Sequence, residues 1–258
     1  MKQKINSKRI ICSSGWYQYD TLGELFEKKA AAGDPSAVVS SYELPVDAGA
    51  DAMRETAARA KKSGVEIIAY EGVHELGIQS PDALAMKLAI VGELGCRNVI
   101  FTIPDDDRLG SDSPEYKGLA QRLESDFDRA VADCREAGVG MWLRFRMGHS
   151  STCMKTFGLL QPAMVKHGVK LFVQCDSSRY EGINESELRM LKQNKNRIAM
   201  FEYTFELFGE LGEFFLQLPK DVLLVPMTWF HQNLDMRESA VAELEKLLKN
   251  GKGKGAAE

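Results

Sequence analysis

The chain has 258 residues, enough for one large core, with 44% hydrophobic residues and a formal net charge of −4. No Lys/Arg cluster forms a stripe, which argues against a nucleic-acid backbone as partner. No apolar stretch reaches transmembrane length, and the basic N-terminus precedes an apolar run far too short for a signal peptide. The five cysteines (Cys12, Cys96, Cys134, Cys153, Cys175) show no CxxC spacing, so reduced thiols and a cytoplasmic location are expected.

In chain order, eight strand-like runs alternate with helical patterns. The first is Lys8–Ser14. The second, Ser36–Ser40, follows Gly33. The third, Val65–Tyr70, follows Gly64, and the fourth, Cys96–Phe101, follows Gly95. The fifth, Val139–Phe145, follows Gly138, and the sixth, Val169–Gln174, follows Gly168. The seventh is Arg197–Tyr203 and the eighth Val222–Thr228. A charged Ala/Leu-rich segment ends at each of these five glycines and a strand begins. That is the αβ connection, where glycine takes the left-handed helix cap without strain. Caps mark several helix starts: Thr21 with Glu24, Ser80-Pro81, and Asn184 with Glu187. Lys61-Lys62 ahead of Gly64 reads as a helix C-terminus, and Met236–Leu248 as a last helix. The pattern predicts an α/β fold, a single (β/α)8 TIM barrel with a parallel eight-stranded sheet. It forms one domain over 1–258, with short flexible termini at about 1–8 and 249–258. Asp105–Pro114 reads either as a solvated loop or as a lid over the barrel mouth.

Side chains alternate along a strand, so each run has an inner and an outer set. In the fifth run Met141, Leu143 and Phe145 should face the helices, and Trp142, Arg144 and Arg146 the axis. In the sixth, Leu171, Val173 and Cys175 face out, and Phe172, Gln174 and Asp176 in. In the seventh, Ala199, Phe201 and Tyr203 face out, and Met200, Glu202 and Thr204 in. Ile67, Ala69 and Glu71 share a face of the third run, with Glu71 at its C-terminal end; Ser41 and Glu43 close the second. Three neighbouring strands thus send Arg144, Arg146, Asp176 and Glu202 to one place. Two readings follow: an internal ion-pair network, or a polar pocket for a small charged or polyhydroxylated ligand at the C-terminal strand ends.

The mouth has no lysine for a Schiff base, since Lys170 starts its strand, and no glycine-rich phosphate loop is evident. His149 and His231 follow the fifth and eighth runs and reach the mouth. His74 is placed above the third, and His167 on the opposite side. Trp16 and Trp229, near the first and eighth strand ends, are candidates for stacking on a sugar face.

The order Glu93-Leu-Gly-Cys-Arg-Asn-Val-Ile-Phe, a long helix ending Cys134-Arg-Glu-Ala-Gly-Val, then Phe172-Val-Gln-Cys-Asp176, resembles the xylose-isomerase-like barrel superfamily of sugar isomerases, epimerases and related enzymes. The resemblance implies a divalent-metal site at the strand ends, with Asp176 as its strand-six aspartate and Glu202 as its strand-seven ligand. Arg144 stands where that family has a strand-five glutamate. Arg179 follows Asp176 in place of histidine, and Thr228 replaces the strand-eight glutamate. The chain therefore reads as a divergent member with an incomplete ligand set. No metal or other cofactor is expected, and Arg144 supplies the positive charge beside Asp176 and Glu202. The expected activity is proton transfer next to a carbonyl in a sugar or sugar acid. Asp176 or Glu202 moves the proton, and Arg144 or Arg146 holds the oxyanion or a carboxylate. Glu71, Gln174, Arg179, His149, Trp16, Trp229 and His231 complete the substrate contacts. The alternative is a non-catalytic binding or assembly subunit. The partner expected is a small-molecule ligand, with a second copy of the chain as a further candidate, and no nucleic acid and no membrane.

Overall fold

The computed structural model describes residues 9–11, 19–80, 83–148, 153–175, 183–204 and 207–227, with 239, 241–243 and 245–246 beyond them. Helices and strands alternate: α1 (Leu22–Ala31), β1 (Ser36–Ser40), α2 (Gly49–Ser63), β2 (Glu66–Glu75), α3 (Leu84–Gly92) and β3 (Asn98–Thr102). There follow α4 (Asp106–Leu109), α5 (Leu119–Glu136), β4 (Gly140–Met147), α6 (Met154–His167), β5 (Lys170–Cys175), α7 (Glu185–Asn194), β6 (Ile198–Thr204), α8 (Phe208–Gln217) and β7 (Leu223–Met227). The seven strands form one parallel sheet in sequential order. The five glycines identified from sequence all have φ between 67° and 74°. Their helices therefore stop where the next strand must begin.

The first sequence run is represented by residues 9–11. Ile10 makes a parallel bridge to Leu224 of β7, and the Ile11 N–H donates to the Leu224 carbonyl at 3.0 Å. Arg9 ties in beside it, Nε donating to the Val222 carbonyl at 2.7 Å. The rest of that run, and the last helix apart from its described residues, lie outside the description.

Two apolar layers flank the sheet. Met141, Leu143, Phe145, Leu171, Val173, Cys175, Phe201 and Tyr203 pack outward under the helices, as alternation predicts. Ile11, Ala69, Ile100, Trp142, Phe172, Met200 and Val225 form a separate inner cluster. Side chains from β2 through β7 and from Ile11 meet there, so the sheet curls around a filled interior.

Alternation fails at two places, each a bulge. Ala37 pairs with Ile67 but Val38 with Ala69, so Ile67 joins the outer layer while Ala69 and Glu71 stay inside. Leu171 pairs with Ile198 but Phe172 with Met200, so Ala199 packs with the inner cluster instead of facing out. An inserted residue reverses the face of everything before it.

Caps behave largely as expected. Asn184 and Glu187 form a reciprocal capping box. Thr21 accepts from the Glu24 N–H at 3.3 Å, but Glu24 reaches back to the Asp20 N–H at 3.0 Å, not to Thr21. Helix α3 starts at Leu84, after Ser80, and Pro81 lies outside the described residues. The polar Asp105–Pro114 stretch contains α4 and is pinned to α6. Asp106 accepts from the backbone N–H groups of Lys155 at 2.8 Å and Thr156 at 2.9 Å, capping α6 from a distance.

Cys96, Cys134, Cys153 and Cys175 are free and buried. Burial pushes the Cys96 thiol up to about 11 and those of Cys134 and Cys153 up to about 12. Each is thus held neutral in the fold and ionises more easily once unfolded. Their contribution to stability is intact below about pH 9 and is lost as pH rises through 11 to 12. Alkylation mapped by mass spectrometry at about pH 8 should leave these four thiols unmodified in native protein and modify all four in denaturant. Labelling of any of them in the native state would contradict their packing.

Candidate active site

The C-terminal strand ends carry the charges. Glu71 ends the inner face of β2, Arg144 and Arg146 lie two residues apart on β4, Gln174 is on β5 and Glu202 on β6. Register sets Arg146 against Gln174 and Gln174 against Glu202. This polar tier sits above the inner apolar cluster, in the layer where parallel barrels place their chemistry.

Arg144 does not pair with Glu202. Its guanidinium forms an ion pair with Glu71, across β3, and lies over the Phe172 ring at 5.1 Å from the centroid. Both partners are mostly withdrawn from solvent, with side chains 11% and 18% exposed, so this pair is desolvated more than a surface bridge. The Arg144 Nε is buried without an acceptor. Glu202 instead accepts from the Gln174 amide at 2.5 Å.

Two spaces adjoin these groups. The inner pocket, about 530 Å³ counting the open solvent at its mouth, reaches Phe172, Met200, Glu43, Glu71 and Glu202. The outer cleft, about 1040 Å³ with its open mouth, is bordered by Glu71, Thr102, Asp105, Arg108, Arg144 and Arg146. Glu71 borders both. Gly72 beside it has φ 89°, and a Cβ there would collide with the Ser41 side chain. Glycine therefore lets β1 and β2 approach where Glu71 turns into the site.

Of the residues expected at the site, Glu71, Arg144, Arg146, Gln174 and Glu202 come together. Asp176, Arg179, His149, Trp16, Trp229, His231 and Thr228 lie outside the described residues. Thr204 is buried beside β7. His74 lies within the long β2 rather than above it. It is buried, with Nε2 2.9 Å from Asp126 Oδ2 on α5, and Asp126 also accepts from the Gly77 N–H at 2.6 Å. His167 contacts Asp128 at 2.9 Å in the helix layer, and Lys170 Nζ donates to the Asn196 carbonyl at the opposite strand end. Glu43 accepts from the Ser40 N–H at 2.9 Å and from Tyr19, folding its turn under the pocket.

Sequence reasoning missed three residues. Arg108 borders the cleft and pairs with Glu75. Lys29 of α1 borders the inner pocket, and Tyr42, 94% exposed, stands at the cleft rim. Only Tyr42 had a local signal, as an aromatic just past a strand end. The other two depend on tertiary placement.

No protein-family model and no curated sequence matches the chain. Solved structures do. The chain is similar to 3-keto-D-glucoside 4-epimerase of E. coli, with TM-score 0.64 and 12% identity over 92% of this chain and 99% of that one. A xylose isomerase domain containing protein of Salmonella typhimurium gives TM-score 0.60 and 10% identity over 95% and 99%. A D-tagatose 3-epimerase-like protein gives 0.61 and 9% over 94% and 98%. At such identities the likeness is one of architecture alone: the chain shares the fold of these three structures.

Proposed function

We propose that the chain is a divergent sugar isomerase or epimerase, or a related lyase, on an eight-stranded (β/α)8 barrel closed through the segment around Ile10. One observation carries this reading. Two carboxylates, Glu71 and Glu202, and two guanidiniums meet at the C-terminal strand ends, beside the inner pocket and the open cleft. The neighbours named for sugar epimerisation share the fold and support the substrate class.

In this mechanism Glu202, held by Gln174, takes a proton from a carbon next to the sugar carbonyl. The electron pair moves onto the carbonyl oxygen, and the Arg144 guanidinium stabilises the resulting enolate. Reprotonation of that carbon from the opposite face, by a second acid such as Glu71 or Asp176, gives the epimer; protonation of the former carbonyl carbon, with the hydroxyl proton of the adjacent carbon passing to the former carbonyl oxygen, gives the isomer. Asp176 and Glu71 are the alternative proton carriers.

We read the site as working without the divalent metal that the resemblance implies; Asp176 and Thr228, two of the positions concerned, lie outside the described residues. Among the described residues no three His, Cys, Asp or Glu side chains gather as ligands. A guanidinium occupies the strand-five position and binds Glu71. No step is therefore routed through a metal. Elemental analysis of protein purified without chelator should give well under one equivalent of manganese, zinc, magnesium or cobalt. A stoichiometric content would restore a metal-assisted mechanism.

The second reading, a binding subunit without catalysis, draws on the same Arg144–Glu71 pair, which neutralises the cluster internally. Arg144→Met separates the two. The change should cost about 1–3 kcal/mol by leaving Glu71 without its cation. In an enzyme it should also abolish turnover of any sugar that raises the wild-type melting temperature. A sugar bound but never turned over by wild type would favour the binding subunit.

A further inference from the structure

The cleft arginines are unequally matched. Arg108 pairs with Glu75 and lies 5.7 Å from the Tyr116 ring centroid, and Arg144 pairs with Glu71. Arg146 is half-buried on the inner face of β4, and among the described residues no carboxylate lies within ion-pair distance of it. Asp105, on the same cleft, accepts from the Cys153 thiol at 3.4 Å. Two residues before Arg146, the Arg144 Nε is buried with no acceptor. A guanidinium withdrawn from water without an anion is costly. The planar guanidinium of Arg146, which borders the cleft, matches the planar or tripodal oxygens of a carboxylate or phosphate.

We infer that Arg146 binds the anionic group of the substrate, which is a sugar acid or sugar phosphate rather than a neutral sugar. This rests on the proposed function and sets the direction in which the ligand lies. Glu43, Glu71 and Glu202 border the inner pocket, which therefore repels an anion and accepts hydroxyl groups. The charged end stays in the outer cleft by Arg146, and the hydroxylated end, with the carbonyl, reaches Glu202. Arg146 is thus a specificity-determining residue, two strand positions beyond the oxyanion-stabilising Arg144.

Calorimetry on wild type, Arg146→Gln and Arg146→Lys tests this, with D-glucuronate, D-glucose 6-phosphate and D-glucose as probes and thermal melts to confirm folding. Wild type should bind one of the anions at least about tenfold more tightly than D-glucose. Which anion wins distinguishes carboxylate from phosphate. Arg146→Gln should collapse that ratio toward one, and Arg146→Lys should keep part of it. Equal affinity for D-glucose and both anions, or an anion preference that survives in Arg146→Gln, overturns the inference and leaves the sugar-enzyme reading standing. If the anions fail while other neutral sugars bind, the inference also fails. If no sugar of either charge binds, the functional reading itself falls.

Discussion

Leu143→Asp is expected to unfold the protein or to destabilise it by about 4–5 kcal/mol or more. Leu143 sits mid-strand in β4, 1% exposed, within the outer apolar layer beneath the helices. Aspartate there loses the leucine packing, worth about 2–5 kcal/mol for truncation alone. It must also ionise without a partner or take up a proton, and either adds further cost. A domain's whole stability is typically about 5–15 kcal/mol, so little folded protein should remain. Circular dichroism melts and expression yield check this. A variant melting at the wild-type temperature would mean the inner and outer faces of β4 are exchanged, and Arg144 and Arg146 would then point away from the site.

The second large effect concerns Lys29 and Asp34. Their side chains are 1% and 0% exposed, joined at 2.5 Å where α1 turns into β1. Lys29→Met should cost about 3–5 kcal/mol, because it strands a buried carboxylate. The double change Lys29→Met with Asp34→Leu should recover most of that loss, since an apolar replacement of both partners removes the desolvation penalty as well. Urea denaturation of Lys29→Met, Asp34→Leu and the double variant against wild type gives the coupling. A single variant as stable as wild type would show that Asp34 is adequately held by its other contacts.

The sequence made the architecture legible because two of its signals are local. A glycine with positive φ after a charged helix marks an αβ junction wherever it stands, and all five junctions fall where expected. Alternation along β4 places Trp142, Arg144 and Arg146 inside because β4 pairs with its neighbours without a shift. It misplaces Ile67 and Ala199 because a bulge is set by pairing with another strand, which period-two reasoning does not contain. The same limit applies to the site. Glu71, Arg144 and Glu202 are identifiable one by one from strand ends. Which carboxylate Arg144 binds depends on the curl of the sheet across β3. His74 looks like a loop histidine by position, yet β2 runs on past Gly72 to Glu75 and carries it into contact with Asp126 on α5. Asp106 reads as one of several loop acids, and its role as the cap of α6 appears only when the two segments are brought together.

The central claim is that Glu202 moves a proton at a carbon next to a sugar carbonyl. It is tested most directly by solvent hydrogen exchange. Wild type and Glu202→Gln are incubated in D2O with the sugars that raise the wild-type melting temperature, and the carbon-bound hydrogens are followed by NMR. Wild type should replace the hydrogen adjacent to the carbonyl with deuterium, and Glu202→Gln, still folded, should do so about 10²–10⁴-fold more slowly. Failure of every bound sugar to exchange in wild type, or exchange at an undiminished rate in Glu202→Gln, would contradict the account.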